Sequence, residues 1–362
     1  MRRTHNIGHG HRMKRLLCVL GMLIACLVLI AFVTVVIVGA RVQTTKVPEL
    51  LGNSSANVCG LTTSTNPDSF TFLVVGDVQH GTATFEHLLD VGRADKPAFA
   101  VILGDFVSDP ESARHKVFVL EMSEEALEFP LFLVPGNHDI SPDGPFRVED
   151  FEQTYGPAQF HFTIGKCLFV FLNNAPPYDK SGTYLAFMEE VLSEKAEHVR
   201  DIFVFMHVPP SGLTPWVQAR ELYGSEKFME LAERFRVRYV FAGDHHGYVK
   251  TDRDGTTYIV TGGGGARLRG VHGRFHHLIR MAVQSGSVTE TVIATERRME
   301  GPELLEENIA VHLWPLITRS SRSGTLALSV LVAAVSLLIF SLGLWKRLSH
   351  TMIALKAGGW AR

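Results

Sequence analysis

Five short apolar runs in this chain end in residues that bind metals and move protons. Phe72–Val75 leads into Gly76-Asp77-Val78-Gln79, and Ala100–Leu103 into Gly104-Asp105, with Ser108 and Asp109 beyond. Leu131–Val134 leads into Pro135-Gly136-Asn137-His138-Asp139. Phe203–Met206 leads into His207-Val208-Pro209, and Tyr239–Ala242 into Gly243-Asp244-His245-His246. Side chains two apart on an extended segment share a side, which brings Asp77 and Gln79 together. Carboxylate, amide oxygen and imidazole without thiolate suit manganese, iron, zinc or magnesium better than soft metals. A single Gly-Asp after a strand is usually a turn, and His207 alone reads as a strand cap. Adjacent His245 and His246 point in different directions when extended, so at most one of them ligates. Five strand ends with the same chemistry are another matter. At the carboxyl edge of an open α/β sheet they converge on one site.

The elements that must position these residues alternate. Phe70–Val75, Phe99–Leu103 and Leu131–Val134 read as strands, with helices over Thr84–Arg93 and Glu111–Glu125 between them. That alternation predicts an α/β fold with a largely parallel first sheet. Phe160–Ile164 and Leu168–Leu172 flank Gly165-Lys166 as a hairpin. A helix at Tyr184–Ala196, a strand at Ile202–Met206, a helix at Ser225–Phe235 and a strand at Arg238–Ala242 follow. Strands at Thr257–Thr261, Leu278–Val283 and Val288–Ile293 complete the set. Substrate choice falls to the loops 141–159, 174–183, 208–222 and 262–277. There Trp216, Tyr178, Arg267 and Arg269 are placed to stack on or pair with a ligand, or simply to pack at the surface. His272, His276 and His277 read as substrate-flanking or, more often, packing residues. His5, His9 and His11 lie in a basic tail and read as solvated.

The 362 residues carry a formal charge of -2, which offers no global argument for a nucleic-acid partner. Leu16 to Ala40 has no charged residue and is long enough to cross a bilayer, with Arg2, Arg3, Arg12, Lys14 and Arg15 before it. Gly324 to Trp345 is a second such run, followed by Lys346, Arg347, Lys356 and Arg362. These flanks predict two spans, both termini cytoplasmic and an extracytoplasmic domain between them. The expected boundaries are a basic tail (1–15), a span (16–40), a stalk (41–68) and the domain (69–295). A linker (296–323), a second span (324–345) and a cytoplasmic tail (346–362) follow. Cys18 and Cys26 fall in the first span. Cys59 and Cys167 lie outside it, where an oxidising compartment permits a disulfide, although Cys167 reads equally as a buried thiol. Asn53-Ser54-Ser55 is a glycosylation sequon only in a eukaryotic secretory pathway.

Taken in order, Asp77, Asp105, Gly136-Asn137-His138-Asp139, His207 and His246 resemble the motif series of the calcineurin-like metallophosphoesterase superfamily. That superfamily includes purple acid phosphatases and related phosphodiesterases. The resemblance spans about residues 70–295, and Gly-Asn-His-Asp is its most specific piece. Two positions depart from the pattern. Gln79 stands where the first motif has His, and Asp244 where Gly-His-x-His has its first His. The resemblance implies an α/β sandwich of two mixed β-sheets flanked by helices, here with a transmembrane helix at each end. It implies two metal ions, one on Asp77, Gln79, Asp105 and His246. The other takes Asp105 as a bridge, with Asn137, His207 and Asp244. Both departures favour oxygen ligands, so manganese or iron is expected before zinc or magnesium. Such metals activate water for in-line attack on phosphorus, and His138 is expected to protonate the leaving oxygen, oriented by Asp109 or Asp139. The implied activity is hydrolysis of a phosphate ester, monoester or diester, on a phosphorylated small molecule or lipid. The rival reading is a sensor that keeps the fold with a weakened metal site, for which Gln79 and Asp244 are the motive.

Overall fold

A computed structural model describes residues 4–175, 181–269, 273–318 and 321–358. The chain divides into two units. One contains helix α1 (Thr4–Thr44) as far as Gln43 and the chain from Asn308 onward, and the other runs from Thr44 to Glu307. In the first unit, Arg12–Thr44 and Leu328–Arg347 are long and apolar enough to cross a membrane. The first contains the expected span 16–40, and the second overlaps the expected span 324–345 from residue 328 on.

The second unit opens with α2 (Ser55–Ser64) and is built on period-two strands rich in phenylalanine. Its first sheet runs β1 (Ser69–Val75), β2 (Phe99–Ile102) and β3 (Leu131–Leu133) in parallel. The second contains β4 (Phe160–Ile164), β5 (Cys167–Phe171), β6 (Asp201–Phe205), β7 (Tyr239–Ala242), β8 (Tyr248–Arg253) and β9 (Thr256–Thr261). It is ordered β4-β5-β6-β7-β9-β8, parallel from β5 through β9 with antiparallel edges. Two further strands, β10 (His276–Gln284) and β11 (Ser287–Thr295), extend the first sheet antiparallel, giving the order β11-β10-β1-β2-β3.

Alternation decides which face meets which layer. In β1, Phe70, Phe72 and Val74 point to the space between the sheets, while Leu73 and Val75 point outward. Cys167, Phe169 and Phe171 of β5 do the same against Leu168 and Val170. The inner layer is aromatic: Phe72 stacks on Phe99 at 5.0 Å and meets Phe203 edge-on at 5.4 Å. Such offset and edge-on contacts are the ring geometries aromatic quadrupoles favour. The outer face of the first sheet is covered by α3 (Thr82–Arg93), α4 (Ser112–Glu124) and α5 (Val148–Tyr155). The second sheet is covered by α6 (Thr183–Lys195) and α7 (Ser225–Arg234). The expected sandwich of two mixed sheets flanked by helices is the fold found. All carboxyl ends of the parallel strands open on one edge.

Several local expectations are corrected. Residues 44–68 do not hang as a stalk. Leu51 bridges to Leu131, and buried Asn53 accepts from Leu133 N at 2.9 Å and donates to Leu133 O at 2.7 Å. Composition suggested a linker, but this asparagine closes the free edge of β3. At 1% exposure Asn53 also cannot carry a glycan in the folded chain. The sequon is structural. Helix α5 lies in the expected loop 141–159, where Asp150 caps Arg147 N at 2.9 Å. Strand β8, also unforeseen, pairs with β9. The charged segment after β11 forms α8 (Pro302–Asn308) rather than a bare linker. Cys59 and Cys167 are free, the first exposed on α2 and the second buried beside Asp201. No disulfide joins them.

Candidate metal centre

Each carboxyl strand end brings its polar cluster to one buried place. Asp77, Gln79, Asp105 and Asp244 all adopt the left-handed backbone, with φ of 58°, 46°, 55° and 58°. A side-chain-bearing residue held there costs roughly 1–3 kcal/mol, and such strain collects at functional sites. The glycines beside them permit close approach. Gly104 has φ 87°, and a Cβ there would lie 2.5 Å from His207 Nδ1. A Cβ on Gly136 would lie 2.3 Å from the Asp105 amide nitrogen. Loops from both sheets interleave on these two residues.

Asp77 is fully buried, and neither of its carboxylate oxygens has a hydrogen-bond partner among the described residues. His246 Nε2 lies 3.4 Å from Asp77 Oδ1. Asp77, Asp105 and His246 offer ligand atoms that all lie within 4.8 Å of one another. Gln79 Nε2 donates to Asp105 Oδ2 at 3.1 Å. Beside the other Asp105 oxygen, His207 Nε2 sits 3.3 Å from Oδ1 and 3.1 Å from Asn137 Oδ1. Both imidazoles are aimed from behind. His207 Nδ1 donates to the Leu103 carbonyl at 2.7 Å, and His246 Nδ1 to the Arg267 carbonyl at 2.9 Å. A backbone acceptor on Nδ1 presents Nε2 to the cluster, as metal-ligating histidines require. His245 turns the other way, its Nδ1 accepting from Gln218 N at 3.1 Å.

Burial pushes the Asp77 carboxyl up. Burial works against charge on His207, yet the carboxylates of Asp105, Asp77 and Asp244 outweigh it and raise its pKa to about 9. The cluster therefore demands positive charge. Buried, partnerless carboxylate oxygens, an amide oxygen and two inward imidazoles fit a hard or borderline divalent cation.

Two expectations change here. His138 Nδ1 donates to the Ser108 carbonyl at 2.5 Å, with Nε2 3.9 Å from Asp105 Oδ2. A backbone oxygen, not Asp109 or Asp139, therefore orients the ring. Asp109 pairs with Arg114 at 3.3 Å, and Asp139 is spent on backbone amides. Its Oδ2 accepts from Asp105 N and Gly136 N, each at 2.7 Å, and its Oδ1 from Val107 N at 3.1 Å. Burial and the neighbouring Asp105 raise the Asp139 carboxyl to about 8, against the pull of those amides. Asp244 does reach the cluster, 3.9 Å from His207 Nε2, but both its oxygens are engaged by Arg220.

Some positioning residues escaped the sequence reading. Asn174 Oδ1 accepts from His207 N at 3.0 Å and Val208 N at 3.1 Å, fixing the strand end that carries His207. Asn173-Asn174, directly after the apolar run Leu168–Leu172, is the available signal, since it repeats the strand-end pattern. His115 lies under the Gly136–Asp139 turn, bonded to Asp139 O at 2.8 Å and Tyr155 Oη at 3.1 Å. His276 and His277 are buried packing residues, the latter bonded to Thr261 Oγ1 at 2.9 Å. Trp216, Arg267 and Arg269 are exposed, while Tyr178 and His272 lie outside the described residues. Glu307, in the segment expected as linker, meets Ser108 and His80 at 3.2 Å each and pairs with Arg114.

His115 carries a stability prediction. Burial lowers its pKa from 6.5 to about 4 in the folded chain. The unfolded chain therefore binds the proton first, so stability is whole above pH 6.5 and is lost as pH falls toward 4. At 1.36 kcal/mol per unit the loss is on the order of 3 kcal/mol. Urea unfolding at pH 7 and pH 4.5 should show His115→Gln with a shallower fall than the wild type. Parallel falls would assign the acid sensitivity elsewhere.

Residues 70–248 match the sequence profile described as calcineurin-like phosphoesterase. Over 209 residues the chain is 29% identical to the serine/threonine-protein phosphatase CPPED1 of Rattus norvegicus, covering 52% of this chain and 64% of that one. The chain thus spans just under two thirds of that relative. It is 28% identical to CPPED1 of Homo sapiens over 245 residues, 62% of this chain and 74% of the other. Among solved structures, a dimetal phosphatase from Danio rerio superposes with a TM-score of 0.50 at 14% identity. That likeness covers 64% of this chain and 100% of the other. Motif order, fold and profile agree, and residues 70–248 form a calcineurin-like phosphoesterase domain.

Proposed function

We propose that this chain hydrolyses a phosphate ester at a two-metal centre in a membrane-tethered domain. The observation that carries the reading is Asp77, buried with neither carboxylate oxygen hydrogen-bonded among the described residues, beside Asp105 and two inward-facing imidazoles. Asp77, Gln79, Asp105 and His246 would hold one metal. Asp105, Asn137 and His207 would hold the other. Metals so held supply Lewis acidity toward phosphoryl oxygens and lower the pKa of water. His138 keeps its Nε2 toward the centre through the Ser108 carbonyl and is the proton donor for the leaving oxygen. An open groove of about 1110 Å³, lined by Asn137, Asn173, Thr183, Arg147 and Arg220, leads to this place. It accommodates a phosphorylated small molecule or lipid headgroup. The named activity of the mammalian relatives, serine/threonine-protein phosphatase, supports ester hydrolysis. The basic flanks of the two apolar helices support cytoplasmic termini and an extracytoplasmic domain.

The test uses the full chain in detergent, stripped of metal by chelation and then given manganese, iron, zinc or magnesium. It reads metal content, thermal midpoint and turnover of p-nitrophenyl phosphate and bis(p-nitrophenyl) phosphate. We expect metal-dependent turnover, first with manganese or iron, and a midpoint that rises with bound metal. Neither metal uptake nor turnover would leave the sensor reading, for which the engagement of Asp244 by Arg220 is the specific support.

A further inference from the structure

We propose that Arg220 grips the substrate's phosphate and favours phosphate monoesters over diesters, and that Asp244 is the positioning residue that aims it. The proposal rests on the hydrolase reading above. It explains the departure at position 244 by what that carboxylate holds.

The segment 211–224 brings Arg220 to the groove and is tied down at intervals. Ser211 N donates to Ser225 Oγ at 2.9 Å, and Leu222 N to Ser211 Oγ at 3.0 Å. Between these ties, Gln218 N donates to His245 Nδ1 at 3.1 Å and Arg220 N to Asp244 Oδ2 at 2.7 Å. The loop therefore hangs on the two residues that follow Gly243. Asp244 also accepts from the Arg220 guanidinium, Nη1 to Oδ1. An imidazole at 244 could not do this, because the pair needs an anion with two acceptor oxygens.

The result is a cation held in a defined place. Asp244 Oδ1 lies 3.9 Å from His207 Nε2, so the guanidinium stands one residue from the metal-facing imidazole. The Asp244 carboxylate is 2% exposed, whereas the Arg220 side chain is 38% exposed. Arg220 lines the same groove as Asn137. Among the described residues, only Nη1 of its guanidinium nitrogens has a hydrogen-bond partner. Nε and Nη2 remain as a planar donor edge, the arrangement that meets two oxygens of one phosphate. A monoester dianion presents one more terminal oxygen and one more negative charge than a diester. A fixed guanidinium beside the reacting phosphate rewards both.

The test compares manganese-loaded full-length wild type with Arg220→Ala, Arg220→Lys and Asp244→Asn. It reads calorimetric binding of inorganic phosphate, metal content, and KM and kcat on the two nitrophenyl esters. A charge-assisted contact of this kind predicts roughly 10- to 100-fold weaker phosphate binding in Arg220→Ala, with KM for the monoester rising to match. The monoester-to-diester ratio of kcat/KM should fall roughly tenfold or more. Arg220→Lys should recover part of the binding but not the ratio, since an ammonium lacks the fork. Asp244→Asn should shift the same ratio while keeping the wild-type metal content. Unchanged phosphate binding and ratio in Arg220→Ala would overturn the grip, and loss of a metal in Asp244→Asn would overturn the positioning role. A wild type without turnover on either ester sinks the hydrolase reading, and phosphate binding then decides Arg220 by itself.

Discussion

Asp105→Asn is expected to lower metal-dependent turnover by about 10²- to 10³-fold, the scale set by removing one preorganised electrostatic contact. Asp105 is the one carboxylate that touches both halves of the cluster. Its Oδ2 faces Gln79 and its Oδ1 faces His207, with His138 N donating to Oδ1 at 2.9 Å. Asparagine preserves volume and one acceptor, so the backbone bond from His138 survives. Its amide then turns a donor toward Gln79 Nε2, itself a donor, and the negative charge between the two halves of the cluster is gone. Metal content should therefore drop with activity, while unfolding stability stays within about 1 kcal/mol of the wild type, because no cavity forms. Retention of full metal content with turnover within a few-fold would remove Asp105 from the centre. A variant that simply misfolds is recognised by its urea midpoint.

Much of this centre is legible in the sequence, for a physical reason. Strand ends are short apolar runs that stop at Gly, and the residues after them must leave the sheet at its carboxyl edge. Asp77, Asp105, the Asn137–Asp139 cluster, His207 and one of His245 and His246 are placed together by that rule and the alternation of elements, while the family resemblance selects Asn137 and His246. The inner phenylalanines were legible too, since period two assigns Phe70 and Phe72 to one face. What escaped were contacts between segments far apart in sequence. Asn53 reaches β3 across 80 positions, and Glu307 reaches Ser108 across 199. A Thr- and Ser-rich stretch reads as a stalk by composition, yet a single asparagine with three backbone contacts turns it into an edge cover. The partner of His138 was misread for the same reason. Nearby carboxylates attract attention in a sequence, but every residue carries a carbonyl, and Ser108 supplied it. Asp244 looked like a ligand by its position in the motif. Only the fold brings Arg220, 24 residues earlier, onto it.

Asp139→Ala should be the most disruptive single change at this edge, and it tests how the two central loops are held. The Asp139 carboxylate is fully buried and accepts from the amides of Asp105, Val107 and Gly136. Those amides belong to the turns that carry Asp105 and Asn137, so one side chain sets the spacing between two expected ligands. Alanine leaves three buried donors without an acceptor, at about 1–3 kcal/mol each before relaxation. Since neighbours share the relaxation, the sum is less than additive, and a loss of about 3–5 kcal/mol in urea unfolding is expected. Asp139→Asn retains one acceptor but points an amide at backbone donors, so it should fall between wild type and alanine. Tightening by metal opposes this loss, because a ligand bound only to the folded state adds stability with its concentration. Excess manganese should therefore restore part of the midpoint in Asp139→Asn, where the turns stay near their positions, and less in Asp139→Ala, where they do not. If alanine costs under about 1 kcal/mol and metal uptake is normal, the loops are held by their glycines and strand ends instead, and Asp139 is a bystander.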